Sequence, residues 1–447
     1  MKKLHLIKNA TIINEGRTFK GSVLLEGEYI KAVFEDRIEI PQSYDETDAE
    51  GLLLLPGVID DQVHFREPGL TQKGDIFTES RAAVAGGVTS FMDMPNTRPQ
   101  ATTVEILEEK YELAEQKSFA NYSFLMGVTN DNIDELKKVN ARNVPAVKMF
   151  MGSSTGNMLV DNLETLNRIF SEISMMIVTH CEDETTIQKN IQYYKNLLGD
   201  EIPIEYHPLI RSEEACYKSS SFAAELATKY NSRLHVFHLS TAKELSLFNS
   251  DIPLKDKRIT AEVCIHHLWF SDADYAKYGN RIKWNPAIKT ESDRLALIEA
   301  LNSNKIDVVA TDHAPHLLSE KEGSCLKAAS GGPLIQHGLI AMLQLAKTGN
   351  FTREKVIEKM CHAPAELFRI EKRGFIRPGY FADLVLVNPN QSTTVTSDNI
   401  LYKCGWSPFE GTTFDNTVLT TWVNGRKVFD NGVFDEQVRG KRLLFNN

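Results

Sequence analysis

The chain has 447 residues, 42% hydrophobic and 25% charged, with a formal net charge of −10. That length exceeds a small single core and suits one large α/β barrel with a second, smaller domain, in a composition ordinary for a globular protein. The acidic balance argues against broad binding to a phosphate backbone, and no apolar run approaches the roughly 20 residues that span a bilayer.

The opening stretch "MKKLHLIKNATIINEG" begins with basic residues but lacks an apolar run long enough for a signal peptide. The six cysteines, Cys181, Cys216, Cys264, Cys325, Cys361 and Cys404, lie far apart with no C-x-x-C. Reduced thiols in a cytoplasm are the expectation. Residues 1–55 read as short strands and turns: "LHLIKNATII", "GSVLLEGEYIKAVF", "GLLLLP". The C-terminal part repeats that character in "GYFADLVLVNP" and "TWVNGRKVFDNGVF". These two tails, 1–55 and 374–447, predict one composite β-sandwich domain.

Between them, over 56–373, strand-like and helix-like stretches alternate. The strands are "VIDDQVHF", "TSFMDMP", "YSFLMGVT", "PAVKMFM", "MMIVTH", "LHVFHLS", "RITAEVCIHHL" and "IDVVATDH". Charged stretches such as "VEILEEKYELAEQK" and "ESDRLALIEALNSN" separate most of them. Eight β-then-α units predict a (β/α)8 barrel rather than an open sheet, with the active site at the C-terminal ends of the strands.

The strand ends are therefore informative. Strand one ends in Gln62-Val63-His64 and Arg66, strand two at Asn96 in "MPNTRP". Strand four carries Lys148 in "AVKMFMGSSTGN"; strands five and six end at His180 and His238. Asn285 follows strand seven, and strand eight runs into "ATDHAPH", with Asp312, His313 and His316. Singly, each has an ordinary structural reading: a lone strand-end histidine is usually just hydrogen-bonded, and a lysine is usually solvated. Together, three histidines and an aspartate converge on one barrel mouth, and imidazole and carboxylate suit Zn²⁺. His235, of opposite parity to His238, reads as barrel packing. His266 and His267 are adjacent, so on a strand they would face opposite ways. Nothing activates Cys181 as a nucleophile.

At this point the sequence resembles the amidohydrolase superfamily, within it the cyclic amidohydrolases, and most nearly the long, class I dihydroorotases. The motifs "HFREPG", "MPNTRP", "HCED", "HLST", "NPAIKT" and "TDHAPH" stand in the family's order, and the likeness runs from "LLLPGVID" to "TWVNGRKVF". The resemblance implies two zinc ions per subunit. His64 and Asp312 would bind one, His180 and His238 the other, and Asp312 would also be the general base. Lys148 matches a lysine that some relatives carboxylate to bridge the metals; other class I members bridge with an aspartate from a nearby loop. Arg66, Asn96 and His316 match the positions that hold the carboxylate of dihydroorotate, a task suited to a planar guanidinium. Asn285 matches a contact to the pyrimidine ring. The implied reaction interconverts N-carbamoyl-L-aspartate and L-dihydroorotate in pyrimidine biosynthesis. The expected partner is a small-molecule substrate, without nucleic acid or membrane, and the expected assembly a homo-oligomer, dimer or tetramer. Two alternatives stay open: another cyclic amidohydrolase, of allantoinase or hydantoinase type, and a non-catalytic scaffold.

One ligand departs from the family pattern. Where the family has His-x-His, this chain has Gln62 and His64. Strict alternation puts residues 60, 62 and 64 on one face, so Asp61 replaces the missing ligand only if the strand bulges. Asp60 matches a supporting aspartate. Gln62 can offer its amide oxygen, a weaker zinc ligand than imidazole. The expectation is a site altered at its first metal but working.

Overall fold

A computed structural model describes residues 4–35, 43–152 and 158–446. Eight parallel strands form a barrel: Val58–Val63, Val88–Asp93, Asn121–Phe124, Ala146–Phe150, Met176–His180, Leu234–Val236, Ile259–Cys264 and Val308–Ala310. The third strand breaks at Leu125 and resumes as Met126–Gly127, which pairs with the fourth. The ring closes where Val63 bridges His313 and the His64 N–H donates to the His313 carbonyl at 2.7 Å. Strands one, two, four and five are buried at every residue, so they show no alternation of buried and exposed positions.

The helices start where local chemistry offers a cap. Thr103 caps Val104–Lys117, Asp183 caps Glu184–Leu198, and Thr290 with Asp293 forms a capping box for Glu291–Asn302. Strand seven is shorter than the sequence suggests. It ends at Cys264, and His266 and His267 lie on a short helix, Ile265–Trp269. The strand rule of opposite faces therefore does not apply to them. His266 stacks on Trp284 with ring centroids 4.3 Å apart, and His267 contacts the Pro286 carbonyl at 3.2 Å.

The two chain ends meet in one nine-stranded sheet. Its middle strand, Leu53–Pro56, pairs parallel with Leu4–Asn14 and antiparallel with Leu384–Asn388. Ile7, Ile12, Val23, Leu54, Leu384 and Trp422 share its apolar core. Asp383 ties this sheet to the barrel: it accepts from Arg373, from Asn121 of barrel strand three at 3.2 Å and from the Asn424 N–H at 2.8 Å. Among the described residues no helix is long and apolar enough to cross a membrane.

A fully buried ion pair sits at the end of strand two. Lys110 Nζ donates to Asp93 Oδ2 at 2.7 Å and to the Met94 carbonyl at 2.9 Å. The other oxygen of Asp93 accepts the Phe65 N–H at 2.8 Å, fixing the loop between His64 and Arg66. Removing one partner of such a pair strands a buried charge, at a cost of about 3–5 kcal/mol. Lys110→Met is therefore expected to lower the urea stability by that order, and Lys110→Met/Asp93→Asn to recover part of it. A Lys110→Met protein as stable as wild type would show that the loop is held by something else.

Candidate active site

Ten of the residues named at the strand ends, Gln62, His64, Arg66, Asn96, Lys148, His180, His238, Asn285, Asp312 and His316, line one cavity of about 660 Å³ at the barrel mouth; His313, named with them, is fully buried and does not line it. Residues 153–157, part of the "AVKMFMGSSTGN" motif, lie outside the described residues.

Two pairs stand out. In the first, His64 Nδ1 lies 2.8 Å from Asn96 Oδ1, an acceptor, so Nδ1 carries the ring proton. The bare Nε2 then faces Asp312 Oδ1 at 3.2 Å. In the second, His180 Nε2 donates to Glu182 Oε2 at 2.9 Å, leaving Nδ1 to face His238 Nε2 at 3.0 Å. Burial alone would raise the Glu182 carboxyl, but Arg211 at 2.5 Å and His180 hold it down to about 2, so it stays an acceptor. Burial also depresses both imidazoles, His238 well below the ordinary histidine value, which keeps them neutral and able to ligate. His238 Nδ1 is a buried nitrogen without a hydrogen-bond partner.

Lys148 lines the same cavity. It is 1% exposed, its Nζ has no hydrogen-bond partner, and it sits 4.2 Å from the Phe237 ring centroid. Burial pulls its pKa down to about 8, against the pull of Glu262 and Asp312 in the other direction. A neutral fraction near physiological pH is thus built in. The donor set, two histidine-containing pairs with bare nitrogens turned inward and an orphaned amine, fits a pair of zinc ions.

The other end of the cavity is cationic. Arg66 is 8% exposed; its Nε donates to the Pro315 carbonyl at 3.0 Å and its Nη2 lies 3.1 Å from His316 Nε2. Lys73 Nζ is 3.1 Å from His316 Nδ1 and 2.7 Å from Glu320. Burial, then Arg66 and Lys73, push the His316 imidazole far down, so it is neutral. A neutral ring can accept at only one nitrogen. The two cations around it therefore compete for one lone pair and leave donor capacity for an anion. Arg66, His238 and Asp312 adopt left-handed φ values of 69°, 41° and 46°, a costly conformation for side chains of this kind and common at functional sites.

Strict alternation fails in strand one. Its register against strand two shifts between Asp60 and Val63, so parity does not separate Asp61 from Gln62. Gln62 faces the cavity, with Oε1 3.8 Å from Cys264 Sγ. Asp60 accepts the Thr311 N–H at 3.2 Å and its hydroxyl, the supporting part expected of it. Sequence reasoning missed Lys73 and the Glu182–Arg211 pair. Glu182 had a signal, as the third residue of "HCED", two positions after His180; Arg211 and Lys73 had none.

Comparison with known proteins bears on this site. A model of the amidohydrolase family matches residues 53–428. The chain is 33% identical to a dihydroorotase of Methanosarcina acetivorans, over 92% of this chain and 89% of that one. It is 30% identical to a dihydroorotase of Ligilactobacillus salivarius, over 95% and 98%. Among solved structures it is similar to the L-hydantoinase (dihydropyrimidinase) of Arthrobacter aurescens, with a TM-score of 0.91 and 25% identity over 97% of each chain. It shares its fold with the dihydropyrimidinase of Brevibacillus agri, with a TM-score of 0.89 and 24% identity over 100% of each.

The cationic end gives a direct test. Because Arg66 and Lys73 both lower the His316 pKa, Arg66→Met and Lys73→Met should each raise it, read by NMR of the labelled ring as pH is varied. An unmoved titration in both variants would mean that burial alone keeps this ring neutral.

Proposed function

The chain belongs to the amidohydrolase family and is a hydrolase of cyclic amides, and on that premise we propose that it is a zinc-dependent dihydroorotase. It interconverts L-dihydroorotate and N-carbamoyl-L-aspartate, as a homo-oligomer in the cytoplasm and as a step in pyrimidine synthesis, with the chemistry carried by residues 56–373. The observation that carries this reading is the Arg66 guanidinium beside His316, in a cavity that Asn96 and the two histidine-containing pairs also line. A ring bearing a carboxylate needs that cation; a plain hydantoin or dihydrouracil ring does not.

His64 and Asp312 would hold one zinc, His180 and His238 the other, with a carboxylated Lys148 shared between them. Bound zinc would polarise the ring amide carbonyl and acidify water. Arg66, Asn96 and His316 bind the substrate carboxylate, and Asn285 orients the ring. Asp312 takes the proton of the attacking water and delivers it to the ring nitrogen as the C–N bond breaks; ring closure runs the same steps backwards. Glu182 keeps His180 in the tautomer whose Nδ1 is bare.

The experiment is a substrate panel on purified protein: dihydroorotate, dihydrouracil, hydantoin and allantoin. Turnover is expected with dihydroorotate alone, lost on chelation and restored by zinc. Arg66→Ala removes a charge-assisted contact of about 1.5–3 kcal/mol and should lower kcat/KM at least about tenfold. Preferred turnover of dihydrouracil or hydantoin would replace this reading with the hydantoinase type suggested by the names of the structural neighbours.

The glutamine at position 62 gives a second test. Zinc titration of wild type should show one ion held more weakly, and Gln62→His should tighten it, because neutral imidazole binds zinc better than an amide oxygen. Two equally tight ions in wild type, unchanged in Gln62→His, would remove Gln62 as the weak point.

A further inference from the structure

We propose that Asp61, His235 and Glu262 hold a divalent transition-metal ion of the zinc class inside the barrel, at a site separate from the cavity of the proposed reaction. The three come from strands one, six and seven, in that order, and none lines that cavity. Each is 0% exposed. Among the described residues they form the one group of three or more His, Cys, Asp and Glu whose ligand atoms all lie within 4.8 Å of one another. The register shift between Asp60 and Val63 lets Asp61 and Gln62, adjacent in sequence, serve two different places.

The hydrogen bonds around the triad determine what points into it. The Thr260 hydroxyl donates to the Leu234 carbonyl at 3.2 Å, so at 2.8 Å its oxygen accepts the proton of His235 Nδ1. That leaves Nε2 as a bare lone pair, 3.6 Å from Asp61 Oδ2 and without a hydrogen-bond partner. Both Asp61 oxygens and Glu262 Oε2 also lack partners. Glu262 is anchored through its other oxygen, which accepts the His238 N–H at 3.1 Å and the Cys264 thiol at 3.3 Å. Lone pairs of one imidazole and two carboxylates thus converge in a region without solvent, where unpartnered polar groups are rare and costly. Lys148, the nearby amine, donates to none of them.

A separation of 3.6 Å is long for an N–H···O bond. It is near the edge of a zinc tetrahedron, about 3.4 Å for bonds of roughly 2.1 Å. One nitrogen and two carboxylate oxygens suit zinc and its first-row neighbours, and a double positive charge cancels the two carboxylates. The bond from His235 Nδ1 to Thr260 is the orienting contact that a ligating histidine usually has. Burial and Asp61 both push the Glu262 carboxyl well up, which reflects the same uncompensated charge. The rival occupant is a proton shared between the two carboxylates.

Anomalous diffraction from wild-type crystals grown with zinc, recorded on both sides of the zinc edge, separates the two. A peak among Asp61, His235 and Glu262 is expected. Its absence at saturating zinc, whether or not the cavity is loaded, overturns the proposal in favour of the shared proton. Metal content by mass spectrometry gives a second readout. Asp61→Asn/Glu262→Gln should lose one zinc equivalent, whereas His180→Ala should keep the interior ion. An unchanged metal content in a folded Asp61→Asn/Glu262→Gln protein likewise overturns the proposal, and should that variant not fold, the diffraction peak still decides. A peak at the triad in a protein that leaves dihydroorotate untouched would sink the functional reading alone.

Discussion

The barrel depends on the seam where its first strand meets its last. The His64 N–H to His313 carbonyl bond, at 2.7 Å, closes the ring. It also brings the side chains of His64 and Asp312 to within 3.2 Å of each other, although 248 positions separate them in the chain. The seam is reinforced from both sides. Burial pushes the Asp60 carboxyl up to about 7, against the bonds it accepts from Thr311, the residue after strand eight. His313 is itself clamped, with Nε2 on Glu79 at 2.7 Å and Nδ1 accepting the Leu334 N–H at 3.0 Å. On the other flank Asp93 holds the Phe65 N–H, so the residues on either side of Phe65 have little freedom.

Within that frame the cavity is organised by which nitrogen of each ring carries the proton. Asn96 sets this for His64 and Glu182 for His180, in each case directing a bare nitrogen inward. Burial keeps the His180 ring from being quenched by a second proton. The left-handed backbone at Arg66, His238 and Asp312 costs about 1–3 kcal/mol at each, which the packed strand ends must offset. The result is a rigid cavity, in which a ligand is met by groups already oriented rather than by side chains that must first be ordered.

Much of this was legible in the sequence. Alternating strand-like and helix-like stretches marked a barrel, and residues at the C-terminal ends of its strands share one rim, so His180, His238 and Asp312 could be grouped without coordinates. What stayed hidden was whatever depends on register or on distant partners. The shift in strand one defeats the alternation rule at Asp61 and Gln62. Strand seven stops before His266 because the chain turns into a helix at Ile265, which an apolar run cannot signal. Arg211 reaches Glu182 from a separate segment, and Lys73 reaches His316 across 243 positions, with no local pattern to mark either.

The composite sheet has a consequence for how the molecule is made. Leu53–Pro56 has one neighbour from the start of the chain and another, Leu384–Asn388, from near its end. On a ribosome adding about 5–20 residues per second, the second neighbour arrives roughly 15–70 s after the first. Throughout that interval the nascent sheet presents an open apolar edge, the kind of template on which strands of other chains can add. Barrel strands two to seven each gain both neighbours within a few dozen residues; only strand one, which closes on strand eight, faces a wait of the same kind. Nascent-chain quality control would therefore find its main hazard in the first sixty residues, far from the chemistry and long before any of it exists.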